Sequence, residues 1–140
     1  MRHAHTATAA VVVVLIGGCG GGADFANDPR PAAPINVSAV ITADRVTVTP
    51  THLGAGPVVI LISNQTPRAH RLTVQTEELG AAKPGIRQST APINPQGTAT
   101  LKVDMRQGRY KVGTGEAGMR GAHLRVKGKR SSAQNKLLQP

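Results

Sequence analysis

The stretch Gly56-Pro-Val-Val-Ile-Leu-Ile-Ser63 decides the fold that we expect for this chain. It is an apolar run of strand length, bounded by Gly56-Pro57 at its start and by the turn-forming Asn-Gln-Thr-Pro of residues 64–67 at its end. Runs of this length and composition, with turn signals at both ends, are typical of a strand buried on both faces. The sequence therefore predicts a central strand at 56–63.

Alternation of β-branched and polar residues predicts further strands on both sides of this run, at 35–41, 46–49, 69–76, 98–105, 108–114 and 122–126. The Arg-Gln-Gly of residues 106–108 predicts a hairpin turn. The proline-rich segment 77–97 is expected to be mostly loop, with one helical turn after Glu77. Short strands separated by turn signals favour an all-β fold, an antiparallel Greek-key β-sandwich over residues 35–127.

The N-terminal segment has the features of an export signal. Arg2 precedes an apolar stretch at 7–16, which is shorter than the roughly 20 residues of a spanning helix and has the length of a signal-peptide core. Leu15-Ile-Gly-Gly-Cys19 resembles the lipobox of bacterial lipoproteins. That resemblance implies that residues 1–18 are a lipoprotein signal peptide and that the thiol of Cys19 carries lipid, with palmitate among its acyl chains.

Two alternatives stay open for this segment: an ordinary signal peptide with an incidental cysteine, or a buried apolar strand. Under the lipoprotein interpretation, residues 19–34 form a flexible linker after the lipidated cysteine, because they are rich in Gly, Ala and Pro. Residues 128–140 are expected to be a basic C-terminal tail. The protein would then be a secreted, lipid-anchored protein on the extracytoplasmic face of the cell membrane.

The charge balance is strongly basic: 17 Lys and Arg against 7 Asp and Glu give a formal net charge of +10. Nucleic acid is not the expected partner, because the basic residues are scattered along the sequence and aromatic stacking platforms are missing. Two interpretations remain. The basic residues form a solvated surface, or they contact an anionic envelope surface such as lipid headgroups or acidic wall polymers, or an envelope protein.

No motif predicts catalysis. Gly113-Thr-Gly-Glu-Ala-Gly118 matches the glycine pattern of dinucleotide-binding proteins, but that pattern requires a following helix, and here a strand is predicted. Serine-hydrolase and zinc-protease motifs are missing, and the acidic residues are dispersed. We expect no catalytic residues and no enzyme; a hydrolase with dispersed residues ranks last among the alternatives.

Three segments, 46–74, 93–112 and 118–126, resemble the cupredoxins. The resemblance implies a Greek-key β-sandwich, and many members hold one copper by two His, one Cys and an axial Met. Carried over to this sequence, His70 matches the first His and Met119 the axial Met. Thr114 is the best match to the cysteine position, and no His lies between Thr114 and Met119. The type 1 copper ligand set is therefore incomplete, and no blue electron-transfer centre is expected.

A remnant copper site remains as a hypothesis, with His70 and Met119 as ligands and His52 or His123 as helpers. In the alternative interpretation, His70 is a buried histidine bonded to backbone and Met119 fills the core. His52 is expected in a loop, and His123 is expected to face solvent.

Tyr110 is expected to form a tyrosine corner, with its hydroxyl bonded to nearby backbone. The functional prediction is a non-catalytic binding or interaction module of the cell envelope, without a cofactor. The alternative is a copper-handling protein.

Overall fold

The computed structural model describes residues 32–77 and 85–131. This part of the chain contains eight strands and no helix: β1 (Ile35–Ile41), β2 (Val46–Thr49), β3 (His52–Asn64), β4 (Thr73–Thr76), β5 (Arg87–Ser89), β6 (Thr98–Met105), β7 (Gly108–Gly113) and β8 (Ala122–Lys129). The all-β sandwich expected from the sequence is confirmed.

The strands form two layers that share β3. The first sheet has the order β2-β1-β3-β6, and the second has the order β3-β8-β7-β4-β5. The first part of β3 pairs with β8, and the part from Gly56 pairs with β6. The β3–β8 register shifts between Gly54 and Ala55, and Gly56 has a φ of 129°. Such an irregularity bends a strand, so β3 changes from one sheet to the other at this point.

The core lies between the two sheets and is almost entirely aliphatic. Inward-facing and outward-facing residues alternate along each strand. In β3, for example, Val58, Ile60 and Ile62 face inward and are at most 2% exposed. Buried valine, leucine and isoleucine side chains each contribute about 1.5–3 kcal/mol to folding. The apolar run at 56–63 is thus the centre of the first sheet, although Leu61 on its outer face is 46% exposed.

The predicted hairpin at 106–108 is wrong. β6 pairs with β3 in the first sheet, whereas β7 pairs with β4 and β8 in the second. The chain crosses between the sheets here, and Tyr110 holds the crossing segment. Its hydroxyl accepts from the Arg106 N–H at 3.0 Å and donates to the Arg106 carbonyl at 2.8 Å. This arrangement confirms the predicted tyrosine corner, and burial raises the pKa of the Tyr110 hydroxyl above its ordinary value.

Other boundaries differ from the sequence prediction as well. β3 begins at His52, which was expected in a loop, and a short β5 lies in the predicted loop 77–97. The strand predicted at 69–76 is regular only over Thr73–Thr76. Two pairings, β1–β3 and β3–β8, are parallel, whereas the sheets were expected to be antiparallel throughout. Propensity patterns identify where strands lie, but they do not show which strands pair or in which direction.

Arg130, which follows β8, binds both the chain before β1 and the bent part of β3. Its guanidinium donates to the carbonyl oxygens of Ala33 at 2.7 Å, Ala55 at 3.2 Å and Pro57 at 2.8 Å. Its side chain lies over Gly54, where a Cβ atom would come within 2.4 Å of the Arg130 Cγ. β8 and Arg130 thus extend into the segment predicted as a tail. The chain before β1 enters the domain at this end.

Several predictions lie outside the described residues: the signal peptide at 1–18, lipidation of Cys19, most of the linker, the helical turn after Glu77 and residues 132–140 of the tail. Among the residues that the structure describes, no helix is long and apolar enough to cross a membrane.

Candidate functional site

The candidate site lies at the end of the sandwich where β1 and β3 finish, opposite Arg130. Asn64, the last residue of β3, is fully buried there. Its Nδ2 atom donates to the carbonyl oxygens of Arg68 at 2.7 Å, Ile93 at 3.1 Å and Asn94 at 3.0 Å. Its Oδ1 atom accepts from the Thr66 N–H and hydroxyl. This one side chain therefore holds the loop that carries His70 against the loop before β6.

His70 is buried at this end, with 5% of its surface exposed. The backbone of His70 exchanges hydrogen bonds with that of Ile93, which holds in place the backbone from which the ring projects. The side-chain Nδ1 lies 2.7 Å from Oε1 of Glu116. A carboxylate at this distance accepts the Nδ1 proton, so the ring is either an imidazolium or a neutral tautomer with its lone pair on Nε2. The residue is buried as expected, but its side-chain partner is a carboxylate and not backbone.

Met119 is half-buried and packs against the edge of the core. The Thr114 hydroxyl donates to its sulfur at 3.1 Å and accepts from the Glu116 N–H at 3.3 Å. Gly115 and Gly118 have φ angles of 77° and 84°, a region that favours glycine. The glycines of the 113–118 motif therefore shape a compact loop that leads into β8, and no helix follows that could receive a phosphate.

Asp44 supports this loop from the other side. Its carboxylate contacts the guanidinium groups of Arg45 at 2.9 Å and Arg120 at 3.1 Å, and its backbone carbonyl accepts from the Arg120 N–H. The hydrogen bond from Arg45, followed by that from Arg120, holds the pKa of the Asp44 carboxyl well below its usual range. The carboxylate therefore stays charged at ordinary pH.

These loops enclose an open groove of about 420 Å³, which we call the end groove. Its wall combines an imidazole, a carboxylate, a thioether and a guanidinium; the lining residues are Ala43, Thr66, Pro67, Arg68, His70, Glu116, Ala117, Gly118 and Met119. The structure thus brings together His70 and Met119, the two residues selected from the sequence. Such a wall can bind a ligand by hydrogen bonding, by charge and by contact with sulfur.

The two predicted helper histidines lie elsewhere. His52 and His123 line a second groove, of about 360 Å³, on the outer face of the second sheet, and it shares no lining residue with the end groove. The His52 Nδ1 is 3.1 Å from the Thr51 hydroxyl, and His123 Nδ1 bonds to Glu77. His123 faces solvent, as expected. The structure therefore does not bring either histidine to His70.

Sequence reasoning missed Glu116 and underestimated Asn64. Glu116 is the one acidic residue in the segment between β7 and β8, directly before the Gly-Met that the cupredoxin resemblance selects. An acidic residue in that short loop was the signal that could have drawn attention to it. The role of Asn64 depends on carbonyl groups about 30 residues away, which no local pattern shows.

The residues selected by the cupredoxin resemblance contact one another and Glu116. The hydroxyl of Thr114, the expected match to the cysteine position, is bonded to the Met119 sulfur, and the His70 Nδ1 is bonded to Glu116. Within residues 32–77 and 85–131, no group of three or more His, Cys, Asp or Glu could hold a metal ion.

Of the comparisons with known proteins, the one with solved structures bears on the fold. No known protein family matches the chain in sequence, and no curated protein matches it either. Among solved structures, it is similar to auracyanin A, a blue copper protein from the green thermophilic photosynthetic bacterium Chloroflexus aurantiacus. The TM-score is 0.53 at 16% sequence identity, covering 68% of this chain and 100% of that one. At this identity the likeness shows a shared cupredoxin-like fold.

Proposed function

We propose that this protein is a non-catalytic binding module of the cell envelope, lipid-anchored through Cys19 on the extracytoplasmic face, with the end groove as its binding site. The observation that carries the proposal is the position of the groove. The chain before β1 enters next to Arg130, at the start of β1, and the groove lies where β1 ends. A linker attached to the membrane therefore leaves the groove accessible.

The chemistry of the groove is consistent with binding. Every buried side-chain nitrogen or oxygen in the described residues has a partner, so the groove is already formed and needs no ligand to complete its hydrogen bonds. Glu116 and Arg68 are exposed at its rim, whereas His70 is buried behind them. A preformed groove with a few polar groups is the usual form of a specific binding site.

The lipid anchor is tested by labelling. Cells that express the full chain with a C-terminal tag are grown with radiolabelled palmitate, and the tagged protein is followed in membrane and soluble fractions. We expect label and membrane association in the wild type and in Gly21→Ala, and loss of both in Cys19→Ser. An unlabelled wild type would contradict the anchor.

The binding role of the groove is tested by photocrosslinking in the same cells. A photoreactive amino acid replaces Ala117 at the groove rim or, as a matched control, the exposed Thr100 on the outer face of the first sheet. We expect a defined adduct with one envelope component from position 117 that is absent from position 100. The same adducts from both positions would show that the groove is not the binding site.

Copper handling is the second candidate, because the groove brings together His70 and Met119, and imidazole and thioether ligands suit Cu(I). The Cys19→Ser substitution removes the only thiol of the sequence. The substituted chain is titrated with Cu(I) and with Cu(II), and its thermal melting is then measured. Tight binding should raise the melting temperature, since a ligand selective for the folded state stabilises it.

The variants His70→Ala and Met119→Leu should lose this shift, and His123→Ala should keep it. Melting without copper shows that each variant is folded. If His70→Ala left the copper affinity unchanged, the copper candidate would be rejected.

A further inference from the structure

Five cationic residues that are scattered in the sequence lie on the outer face of the second sheet, which we call the basic face. All five are exposed: Arg87 of β5, Arg109 and Lys111 of β7, and Arg125 and Lys127 of β8. The half-buried Gln75 of β4 lies between β5 and β7 on the same face. Cross-strand pairing places Arg109 directly opposite Arg125, and Gln75 opposite both Lys111 and Arg87.

The opposite surface of the sandwich lacks this charge. The outer face of the first sheet presents mainly Thr, Ser and Val, and its charged members among the described residues are Lys102 and Asp104. On the basic face the described carboxylate is Glu77, which bonds to His123. The outer face of the second sheet therefore carries more positive charge than the outer face of the first sheet.

Arg109 and Arg125 are directly opposite each other in an antiparallel pair, a position where like charges repel unless other groups compensate them. Surfaces that maintain solubility typically intersperse both signs of charge. A sheet surface with several exposed cations from neighbouring strands is suited to an extended anionic partner.

We infer that the basic face docks onto an anionic phospholipid surface. The occupant is indicated by charge complementarity and by where the chain enters the domain. Arg130 binds the Ala33 carbonyl and lies over Gly54, which pairs with Lys127 at the edge of this face. The proximity argument rests on the proposed anchor. If residues 19–33 form the linker expected from the sequence, a chain of that length has an r.m.s. length of about 20 Å, which would keep the face within reach of the membrane.

Docking in this way sets the orientation of the domain. The second sheet lies flat on the membrane, and the axis of the sandwich runs parallel to the membrane plane. The end groove then opens sideways along the membrane surface, because it lies at one end of the sandwich and not on the basic face. The groove would be presented to partners that are themselves at the membrane surface.

The test uses the full chain carrying Cys19→Ser, so that the result does not depend on lipidation. Binding to vesicles of phosphatidylcholine alone is compared with binding to vesicles that contain about 30% phosphatidylglycerol, an anionic lipid. Any contribution of the apolar N-terminal segment is common to all variants. We expect a clear preference for the anionic vesicles, which falls as salt is added.

The decisive comparison is between two double variants with the same change in net charge. Arg125→Gln with Lys127→Gln removes charge from the basic face, and Lys102→Gln with Arg106→Gln removes it elsewhere. The first should lose about 30-fold in affinity for anionic vesicles, at about fivefold per basic residue, and the second should bind nearly as the wild type does. Circular dichroism confirms that both are folded.

Three results would overturn the inference. Equal losses in the two double variants would mean that net charge alone is responsible. No preference for anionic vesicles would mean that the face does not bind lipid. Binding of polyphosphate that depends on Arg125 and Lys127, without vesicle binding, would mean that the partner is a soluble anionic polymer. None of these results bears on acylation of Cys19, which the palmitate experiment tests by itself.

Discussion

Asn64 shows how a single buried polar side chain organises the candidate site. It makes five hydrogen bonds, and all five groups that it binds lie in loops that follow β3 or precede β6. Hydrophobic burial cannot fix these loops, because they contain few apolar residues. The position of His70 in the end groove therefore depends on Asn64, which does not line the groove itself.

Replacing Asn64 with Ala should lower the free energy of unfolding by about 3 kcal/mol, since buried carbonyl groups would lose their donors. The measurement is urea denaturation followed by circular dichroism. The matched control is Asn94→Ala, because the Asn94 side chain is exposed and only its backbone oxygen takes part in the network. A loss in Asn64→Ala no larger than in the control would contradict this role.

Asp44 gives the domain a stability that depends on pH. Its pKa is lowered in the folded state by Arg45 and Arg120, so folding favours the charged carboxylate. The contribution is present above the unfolded pKa of about 4, and it is lost as the pH falls towards the lower folded pKa. The wild type should therefore be more stable than Asp44→Asn at pH 7, and this difference should shrink steadily below about pH 4.

The measurement is urea denaturation of both proteins between pH 7 and pH 2.5. Asp104→Asn, at an exposed position of β6, serves as the control. A difference between wild type and Asp44→Asn that did not change with pH would show that the ion pairs do not stabilise the fold.

At the scale of elements, β3 joins the two sheets, and Arg130 holds the point where it bends. The guanidinium bonds to carbonyl groups on both sides of Gly56 and to Ala33 before β1. Arg130→Gln should therefore lower the free energy of unfolding by about 2 kcal/mol, because hydrogen bonds to a charged group contribute more than neutral ones. It should also speed amide hydrogen exchange near Ala55.

Lys129→Gln is the control for this prediction, since it removes the same charge from the adjacent, exposed residue. Chemical denaturation and hydrogen exchange by mass spectrometry provide the two measurements. Faster exchange throughout the domain in Arg130→Gln, with no local effect, would mean that Arg130 acts only through global stability.

The elements also show what could be predicted from the sequence. Alternation located most strands, because strands depend on local patterns. The segment 106–108 was predicted as a hairpin because a turn looks the same whether the chain returns to its own sheet or crosses to the other. The pairing of β6 with β3, and of β7 with β4 and β8, distinguishes the two. The Glu116–His70 contact and the Arg130 contacts join residues 46 to 97 positions apart, and no local pattern indicates them.

At the scale of the whole molecule, the described residues place more positive charge on the outer face of the second sheet than on that of the first. Repulsion across the basic face should destabilise the domain most at low ionic strength, where screening is weak. We therefore expect the free energy of unfolding, measured with the uncharged denaturant urea, to rise as NaCl is increased from 20 to 300 mM.

The double variant Arg125→Gln with Lys127→Gln should show a smaller rise, and Lys102→Gln with Arg106→Gln should behave as the wild type does. An equal salt dependence in all three proteins would show that repulsion is spread over the molecule and is not concentrated on the basic face.

The path of β1 has a mechanical consequence. β1 starts beside the point where the preceding chain enters, ends beside the end groove, and pairs with β3 along its full length and with β2 over its last four residues. Tension between that chain and a partner held in the groove would act along β1. Such a load strains the backbone hydrogen bonds of both ladders together, in shear, instead of opening them one after another. β1, which runs from the entry of the preceding chain to the groove, is thus oriented to resist being pulled out of the domain.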